Sequence, residues 1–362
     1  MKIKIIQQIP SLNTYGGIAS EFKALQKSNL NKKYEFIPME LPKVHRKISL
    51  KDIKYYYNFI KNEQPDIVQV RGVGLDGLNA QIAAKFVPNT KILLCVHAMM
   101  SEIWYKKNLK IFFYKHLIEP ICFKLSDGIS CVYENGSKRL QFNRYQNKML
   151  PFVYNRMPNY SNLNIQEKRK NTRLELDILS QDMVGIYCGR ITDGKGLIYL
   201  MDAFIMMKDN WPEKFKFIFV GDGEEIETLK NTVITEHLDG KIKFVGAVQD
   251  VPKYLSAADF FVLPSLYENH SIALLEALSM KLPIITTNVG GNAEIVRDEI
   301  EGLLCQPASS KELYNALNKM INDKSSFSRY KENILKNDYI QFSNYEVDKQ
   351  LDAVYTKILS SK

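Results

Sequence analysis

Short apolar runs rich in β-branched residues alternate with longer amphipathic stretches along the whole chain. We predict strands at these runs, which cover residues 3–9, 67–70, 92–96, 129–132, 184–188, 215–220, 242–245, 260–263 and 283–287. The runs are almost continuously apolar, as strands buried on both faces must be, and helical patterns separate them. The alternation therefore predicts an α/β fold in which helices cover both faces of parallel sheets.

The length of the chain predicts two such sheets, because 362 residues exceed the usual size of a single hydrophobic core. The polar stretch 155–182 contains no apolar strand and is the best candidate for a boundary. We predict an N-terminal domain over 1–165, a C-terminal domain over 166–340, and a terminal helix over 341–362 that packs back toward the first domain. The stripe expected to bury this helix is Tyr345, Val347, Leu351, Val354, Tyr355 and Ile358.

The net charge of +9 is unevenly divided along the chain. Through residue 163 there are 25 Lys or Arg against 11 Asp or Glu, a net of +14, whereas the remainder has 24 against 29, a net of −5. A basic half predicts a polyanionic surface as its partner, either membrane headgroups or nucleic acid. Because no helix–turn–helix, zinc or RRM signature is found, we expect no nucleic acid.

Several features predict a cytoplasmic protein. No apolar run approaches the ~20 residues that span a bilayer, the N-terminus does not read as a signal peptide, and five cysteines lack C-x-x-C spacing. The segment 104–120 is basic and aromatic, as interfacial segments are, although a core helix with a basic edge is the alternative. Together with the +14 balance, it favours peripheral contact with an anionic membrane at its inner face.

Two glutamates carry the most informative chemistry. A strand ends at Leu263, a polar loop holds Glu268, and a helix is expected to begin near Ser271 as its N-cap, with Glu276 inside it. Both carboxylates can then face a crevice at the carboxyl ends of parallel strands, where open α/β sheets bind ligands. Carboxylates suit sugar and ribose hydroxyls, and the N–H groups of the helix start attract phosphate.

Two cations follow an earlier strand. Arg190 comes directly after Gly189, and Lys195 is close enough to reach the same phosphate pair from one loop. Two cations beside a diphosphate can stabilise the charge on a leaving group without a metal, and no metal-ligand spacing is present among the histidines. Further glycine turns follow strands at Gly16-Gly17, Gly221-Asp222-Gly223 and Gly290-Gly291.

Taken in this order, the motifs resemble the retaining glycosyltransferases of family 4 over essentially the whole chain. The matching residues are Gly16-Gly17, His97, Gly189-Arg190, Lys195-Gly196, Gly221-Asp222-Gly223, Glu268 with Glu276, Gly290-Gly291, Glu294-Ile295-Val296 and Gly302-Leu303-Leu304. The resemblance implies the GT-B fold, in which two facing Rossmann-like domains have a donor cleft between them.

The resemblance also implies roles for the site residues. Arg190 and Lys195 would bind the donor diphosphate, Glu276 the ribose hydroxyls and Glu268 the donor sugar, while His97 would approach that sugar from the acceptor side. The remaining donor-binding residues would be Gly16, Gly17, Gly189, Gly221, Val248, Asn269, His270, Ser271 and Ile272.

The family implies a retaining, metal-independent reaction without a cofactor. The acceptor hydroxyl attacks on the side from which the diphosphate leaves, and the leaving phosphate serves as base. The donor is a nucleoside-diphosphate hexose or N-acetylhexosamine, with UDP favoured. From the family and from the basic first half we expect the acceptor to be a saccharide, lipid-linked, in bacterial surface polysaccharide synthesis.

Departures from the family pattern bear on the donor sugar. The family often has Gly-Phe-Gly after the first glutamate, where this chain has Asn269-His270-Ser271. Lys281 replaces a common glycine, and Tyr133 stands where serine is frequent. Neither removes a charged group of the site.

Two alternatives remain open. The run Gly72–Gly77 matches the dinucleotide fingerprint G-x-G-x-x-G and would suit a nicotinamide-dependent oxidoreductase. However, it follows a later strand, and the next strand ends at His97 and not at a ribose-binding acid, so a tight strand–helix turn is the competing interpretation. The second alternative is a catalytically silent GT-B protein that binds glycans or a partner.

Overall fold

A computed structural model of the chain describes residues 2–9, 17–40, 47–106 and 108–361. It divides into two compact units, one formed by residues up to Arg156 together with Ile340 onward, the other by Met157–Tyr339. This division falls at the beginning of the polar stretch 155–182, whereas the sequence placed the boundary at 165/166.

The first unit is built on a five-stranded parallel sheet with the order β2-β1-β3-β4-β5. The strands are β1 Ile3–Ile9, β2 Tyr34–Glu40, β3 Ile67–Arg71, β4 Lys91–Val96 and β5 Gly128–Cys131. Its helices are α1 Gly17–Gln26, α2 Leu50–Glu63, α3 Leu75–Lys85, α4 Leu109–Phe113 and α5 Glu119–Leu125. Strand β2 lacks a continuous apolar run because it lies at the sheet edge, where Pro38 and charged residues are tolerated.

The helical segment 109–125 contains a proline, Pro120, and an irregular turn just before it. A π-helical turn, Tyr114–Ile118, separates α4 from α5, and Pro120 occupies the first turn of α5. Because Tyr114, Ile118 and Glu119 all keep helical backbone angles, the helix continues through Pro120, and the π-helical turn marks the local change in hydrogen bonding that a proline within a helix causes.

The second unit contains a six-stranded parallel sheet with the order β11-β10-β9-β6-β7-β8. Its strands are β6 Met183–Cys188, β7 Phe215–Val220, β8 Ile242–Gly246, β9 Phe260–Leu263, β10 Ile284–Thr287 and β11 Gly302–Cys305. Its helices are α6 Ile165–Glu175, α7 Leu197–Met207, α8 Ile226–Thr235, α9 Val251–Ala257, α10 Ile272–Ser279, α11 Asn292–Ile295, α12 Ser310–Asn322 and α13 Lys324–Lys336. The strand order reverses between β9 and β6, and loops that leave the sheet at such a point diverge and open a crevice.

The last helix, α14 Asn344–Ser360, belongs to the first unit although it ends the chain. Its buried face shares a core with Ile5 and Leu93 of the first sheet. The buried residues are Val347, Leu351, Val354, Tyr355 and Ile358. Tyr345, predicted on the same stripe, is 76% exposed, and that prediction is wrong. It precedes Val347 by two residues, which places it roughly 200° around the helix.

All five cysteines are buried, and none of them is part of a disulfide. Within the described residues, no helix combines the length and apolar character required to cross a membrane.

Candidate functional site

The reversal of strand order in the second sheet positions two loops side by side. One follows β6 and carries Arg190 and Lys195; the other follows β9 and carries Glu268. A backbone hydrogen bond of 2.9 Å from the Leu266 N–H to the Gly194 carbonyl joins them. The chain segments that hold the predicted cations and the first predicted carboxylate therefore meet at the carboxyl edge of this sheet.

Lys195 and Glu268 form a half-buried ion pair at this edge. The distance from Lys195 Nζ to Glu268 Oε1 is 2.5 Å, and the side chains are 23% and 13% exposed. The Ser265 hydroxyl donates to the same carboxylate oxygen at 2.9 Å. Two residues predicted from distant parts of the sequence are thus in contact, and Ser265, for which no role was predicted, helps to orient the carboxylate.

Arg190 lies beside this pair on the same loop. Its side chain is exposed, and within the described residues its guanidinium makes no hydrogen bond or ion pair. Its carbonyl accepts a 2.6 Å hydrogen bond from the hydroxyl of buried Tyr187. Burial and the charge of Glu268 raise the pKa of the Tyr187 phenol. Tyr187 was missed from the sequence because it lies in a strand where an aromatic residue reads as core.

Glu276 occupies the second turn of α10 and is partly buried. No other described residue donates a hydrogen bond to its carboxyl group, and burial raises its pKa to about 7. Tyr160 is close enough that the Glu276 charge, in addition to burial, raises the pKa of its phenol. A carboxyl group in this state is a receptive acceptor for the hydroxyls of a ligand.

The loop between Glu268 and α10 is buried. Asn269, His270 and Ser271 are 6%, 4% and 5% exposed. The Ser271 hydroxyl accepts from the Leu274 N–H at 3.4 Å, which confirms the predicted N-cap. Burial lowers the pKa of His270 to about 3, so its imidazole is neutral and can both donate and accept hydrogen bonds.

Two glycines allow backbone segments to approach this edge more closely than any side chain would permit. At Gly221, where φ is +139°, a Cβ atom would lie 1.8 Å from the Gly189 carbonyl oxygen. At Gly290, where φ is +55°, it would lie 1.9 Å from the Glu268 carbonyl oxygen. Both therefore support the loops that hold the charged residues.

The remaining predicted donor-binding residues of this unit are Val248 and Ile272. Val248 is partly buried in the connection between β8 and α9, and Ile272 is the first residue of α10. The structure thus places them on the connections that leave β8 and β9.

Three predicted residues belong to the first sequence half. His97 directly follows β4 and is partly buried; burial and the charge of Arg71 lower its pKa to about 3. Gly17 begins α1, and Gly16 lies outside the described residues.

The fingerprint Gly72–Gly77 forms a tight strand–helix turn. The Gly72 N–H donates to the Cys95 carbonyl at 2.8 Å, and Gly74 immediately precedes α3. A Cβ on Gly77 would lie 2.8 Å from the Gly72 carbonyl oxygen, so the two ends of the turn lie close together. This conformation agrees with the competing interpretation of the motif.

Among the described residues, no group of three or more His, Cys, Asp or Glu side chains is arranged to hold a metal ion.

The chain is similar in sequence to known glycosyltransferases. The family described as "Glycosyl transferases group 1" matches residues 168–337. An Escherichia coli UDP-Gal:alpha-D-GlcNAc-diphosphoundecaprenol alpha-1,3-galactosyltransferase is 30% identical over 296 residues, which cover 78% of this chain and 74% of that protein. Other curated glycosyltransferases are matched over shorter shares of their own length, between 36% and 61%.

Solved structures resemble the whole chain. The Anabaena protein HepE in complex with UDP-glucose superposes with a TM-score of 0.78 at 17% identity, covering 98% of this chain and 100% of that one. WaaG, a glycosyltransferase involved in lipopolysaccharide biosynthesis, gives a TM-score of 0.74 at 16% identity, covering 97% and 99%. These likenesses confirm the GT-B fold class that the sequence motifs implied.

Proposed function

Because the chain belongs to the glycosyl transferases group 1 family, we propose that it transfers a hexose or N-acetylhexosamine from a UDP-sugar to a saccharide acceptor, with retention at the anomeric carbon. The observation that carries this proposal is the contact of Lys195, Glu268 and Ser265 at the carboxyl edge of the second sheet. A cation and a hydroxyl-binding carboxylate at the point where strand order reverses suit a ligand that combines phosphate with sugar.

Lys195 and Glu268 neutralise each other in their ion pair. A donor diphosphate offers Lys195 a better partner, and a sugar hydroxyl then replaces the ammonium as the donor to Glu268. Arg190, which has no partner among the described residues, supplies the second cation. The two cations together stabilise the negative charge that develops on the leaving diphosphate.

We propose the other donor contacts from the resemblance to family 4 glycosyltransferases. Glu276 accepts hydrogen bonds from the ribose hydroxyls, the connection at Val248 meets the base, and Asn269, His270 and Ser271 face the sugar. His97 contacts the donor sugar from the acceptor side. The acceptor hydroxyl attacks on the face from which the diphosphate leaves, and the leaving phosphate takes its proton, so no protein nucleophile, cofactor or metal ion takes part.

We further propose that the acceptor is lipid-linked, in surface polysaccharide synthesis, and that the first unit touches an anionic membrane. The Escherichia coli relative acts, by its name, on a diphosphoundecaprenol-linked sugar. In this chain Trp104, Leu109, Phe112, Phe113 and Leu117 are 43–83% exposed. Lysines interleave with them in the sequence, and such a segment suits anionic headgroups above an apolar interior. We call residues 104–117 the basic-aromatic segment.

Ligand-dependent melting tests the donor site. UDP, GDP, their common sugar conjugates and NAD are each added in the presence of EDTA, and the melting temperature is recorded. A ligand at ~100 times its dissociation constant stabilises by about 2.7 kcal/mol. We expect UDP and one UDP-sugar to raise the melting temperature, and Arg190→Ala or Glu276→Ala to abolish the rise.

If NAD alone raises the melting temperature, the proposal is wrong, and an oxidoreductase that uses Gly72–Gly77 is favoured. If the protein binds a UDP-sugar but transfers the sugar to no saccharide acceptor, lipid-linked acceptors included, the alternative of a catalytically silent GT-B protein is favoured. Product analysis by NMR then decides retention, because the anomeric coupling constant of the new linkage distinguishes the two stereochemical outcomes.

A further inference from the structure

The first sheet has its own reversal of strand order, between β1 and β3, and Arg71 ends β3 at that point. The side chain is partly buried, and one guanidinium nitrogen donates to Gln7 Oε1 at 2.9 Å. Arg71 Nε is buried without a hydrogen-bond partner in the described part of the chain. This edge is where an open α/β sheet accepts a ligand.

Arg71 has no acidic hydrogen-bond or ion-pair partner in the described part of the chain. It forms no ion pair with any described residue, and the undescribed positions contain neither Asp nor Glu. The acidic side chains Glu21 and Asp348 are engaged elsewhere, since both pair with Arg156, at 2.9 and 2.8 Å. A partly buried cation without a counter-charge is unfavourable until an anion arrives.

A buried network holds the Gln7 amide in place. Gln7 Nε2 donates to Gln69 Oε1 at 2.6 Å, and the Tyr355 hydroxyl donates to the same oxygen at 2.7 Å. Gln69 Nε2 in turn donates to Cys95 Sγ at 3.0 Å. The Gln7 oxygen is therefore directed at Arg71 by side chains that are themselves almost completely buried, so the guanidinium is oriented before any ligand binds.

His97 adds no competing charge at this edge. It follows β4, the strand that pairs with β3, and the Arg71 charge is one cause of its lowered pKa. A neutral imidazole beside a single guanidinium can contact a hydroxyl while the guanidinium contacts an oxyanion.

We propose that Arg71 binds an oxyanion carried by the acceptor, either a phosphate ester or a carboxylate of the saccharide. This rests on the proposed function and deepens it, because it assigns the first unit a charge requirement for its substrate. The planar guanidinium suits the two oxygens that phosphate and carboxylate groups both present.

His97 provides the readout in the full-length protein. UDP is added to saturation to occupy the second unit, and inorganic phosphate, pyrophosphate or acetate is then titrated at constant ionic strength. The His97 ring signal is followed by NMR and assigned with His97→Gln. We expect a saturable shift with at least one anion, and at least about tenfold weaker binding in Arg71→Gln, because hydrogen bonds between a guanidinium and an oxyanion are charge-assisted and stronger than neutral ones. Phosphate or pyrophosphate acting alone indicates a phosphate ester, and acetate acting alone indicates a carboxylate.

Arg71→Lys keeps the charge without the planar fork and should bind with intermediate affinity. Arg144→Gln removes an exposed arginine of the same unit that has no partner in the described residues, so it should bind as the wild type does. A His97 signal indifferent to all three anions, or identical titrations in wild type and Arg71→Gln, would overturn the proposal. UDP binding is measured in parallel: its failure in the wild type refutes the donor site and leaves the Arg71 result standing.

Discussion

At the scale of single residues, the carboxyl group of Glu276 is set apart by its surroundings. Burial raises its pKa from an ordinary value of 4.5 to about 7, so a large share is protonated at neutral pH. Only the ionised form accepts hydrogen bonds through both oxygens. We therefore expect UDP to bind up to about tenfold more tightly at pH 8 than at pH 6, because the ionised share of a carboxyl group with a pKa of about 7 rises from roughly a tenth to roughly nine-tenths over that range.

The matched variant Glu276→Gln separates this effect from the titration of UDP itself. In the variant, the affinity difference between pH 6 and pH 8 should shrink to what the ligand phosphate alone causes. Calorimetric titration in both proteins measures it. Equal pH dependence in both would show that Glu276 does not contact the nucleotide.

The same carboxyl group makes a prediction for stability. Its folded pKa is raised, so the folded state binds more protons than the unfolded state between about pH 4.5 and 7, and stability falls as pH rises through that window. Melting curves of wild type and Glu276→Gln are compared at pH 5 and at pH 8. The melting temperature of the variant relative to wild type should be several degrees higher at pH 8 than at pH 5, since each kcal/mol of stability shifts the melting temperature by about 2–4 °C.

Gly221 tests the close approach of loops in the second unit. An added Cβ would lie 1.8 Å from the Gly189 carbonyl oxygen. Gly221→Ala must therefore displace the backbone that precedes Arg190, and we expect a loss of at least about 1–3 kcal/mol of stability together with UDP binding. Gly240→Ala is the control, because nothing lies within 4 Å of its Cβ position. Chemical denaturation and UDP titration measure the stability and the UDP affinity of both variants. If Gly221→Ala matches the wild type in both, the close approach of the loops is contradicted.

At the scale of secondary structure elements, the basic-aromatic segment has apolar residues exposed on α4 and the π-helical turn. Replacing Phe112 and Phe113 by Ser should release the protein from anionic liposomes, because each exposed ring contributes apolar area to an interfacial contact. Sedimentation with phosphatidylserine vesicles at low salt measures it. Exchanging exposed Phe86, on the same unit but outside this segment, for Ser is the control. Wild-type protein that stays in the supernatant would disprove membrane contact.

Strands and helix ends could be predicted from the sequence where neighbouring residues along the chain determine them. The apolar runs located most strands, and Ser271 was recognised as an N-cap because capping depends on neighbours along the chain. Strand β2 was missed because its place at the sheet edge, which permits Pro38, is a tertiary property. Tyr345 was misassigned because a rough stripe does not give the angular position of each residue.

At the scale of the whole molecule, the sequence indicated which charged residues to examine but not how they pair. Motif order suggested Arg190, Lys195, Glu268 and Glu276, yet the contact between Lys195 and Glu268 depends on β6 and β9 being neighbours in the sheet. Nor could the sequence show that Arg71 forms no ion pair with the residues described, while Arg156 pairs with both Glu21 and Asp348. Such pairings depend on which elements are neighbours in the folded chain, and a single sequence does not show this.

The position of α14 leads to a prediction for the molecule as a whole. Because this helix buries its apolar face in the core of the first unit, a chain that ends at Tyr339 exposes that core while every residue of the second unit is retained. We expect hydrogen-exchange protection to collapse in β1–β5, and UDP to bind with nearly unchanged affinity. Leu351→Ala should weaken the first unit by about 2–5 kcal/mol, as buried leucine truncations do, whereas Tyr345→Ala on the exposed face should not. Loss of protection spread evenly over both sheets after truncation would mean that the two units do not fold as the separate cores seen in this structure.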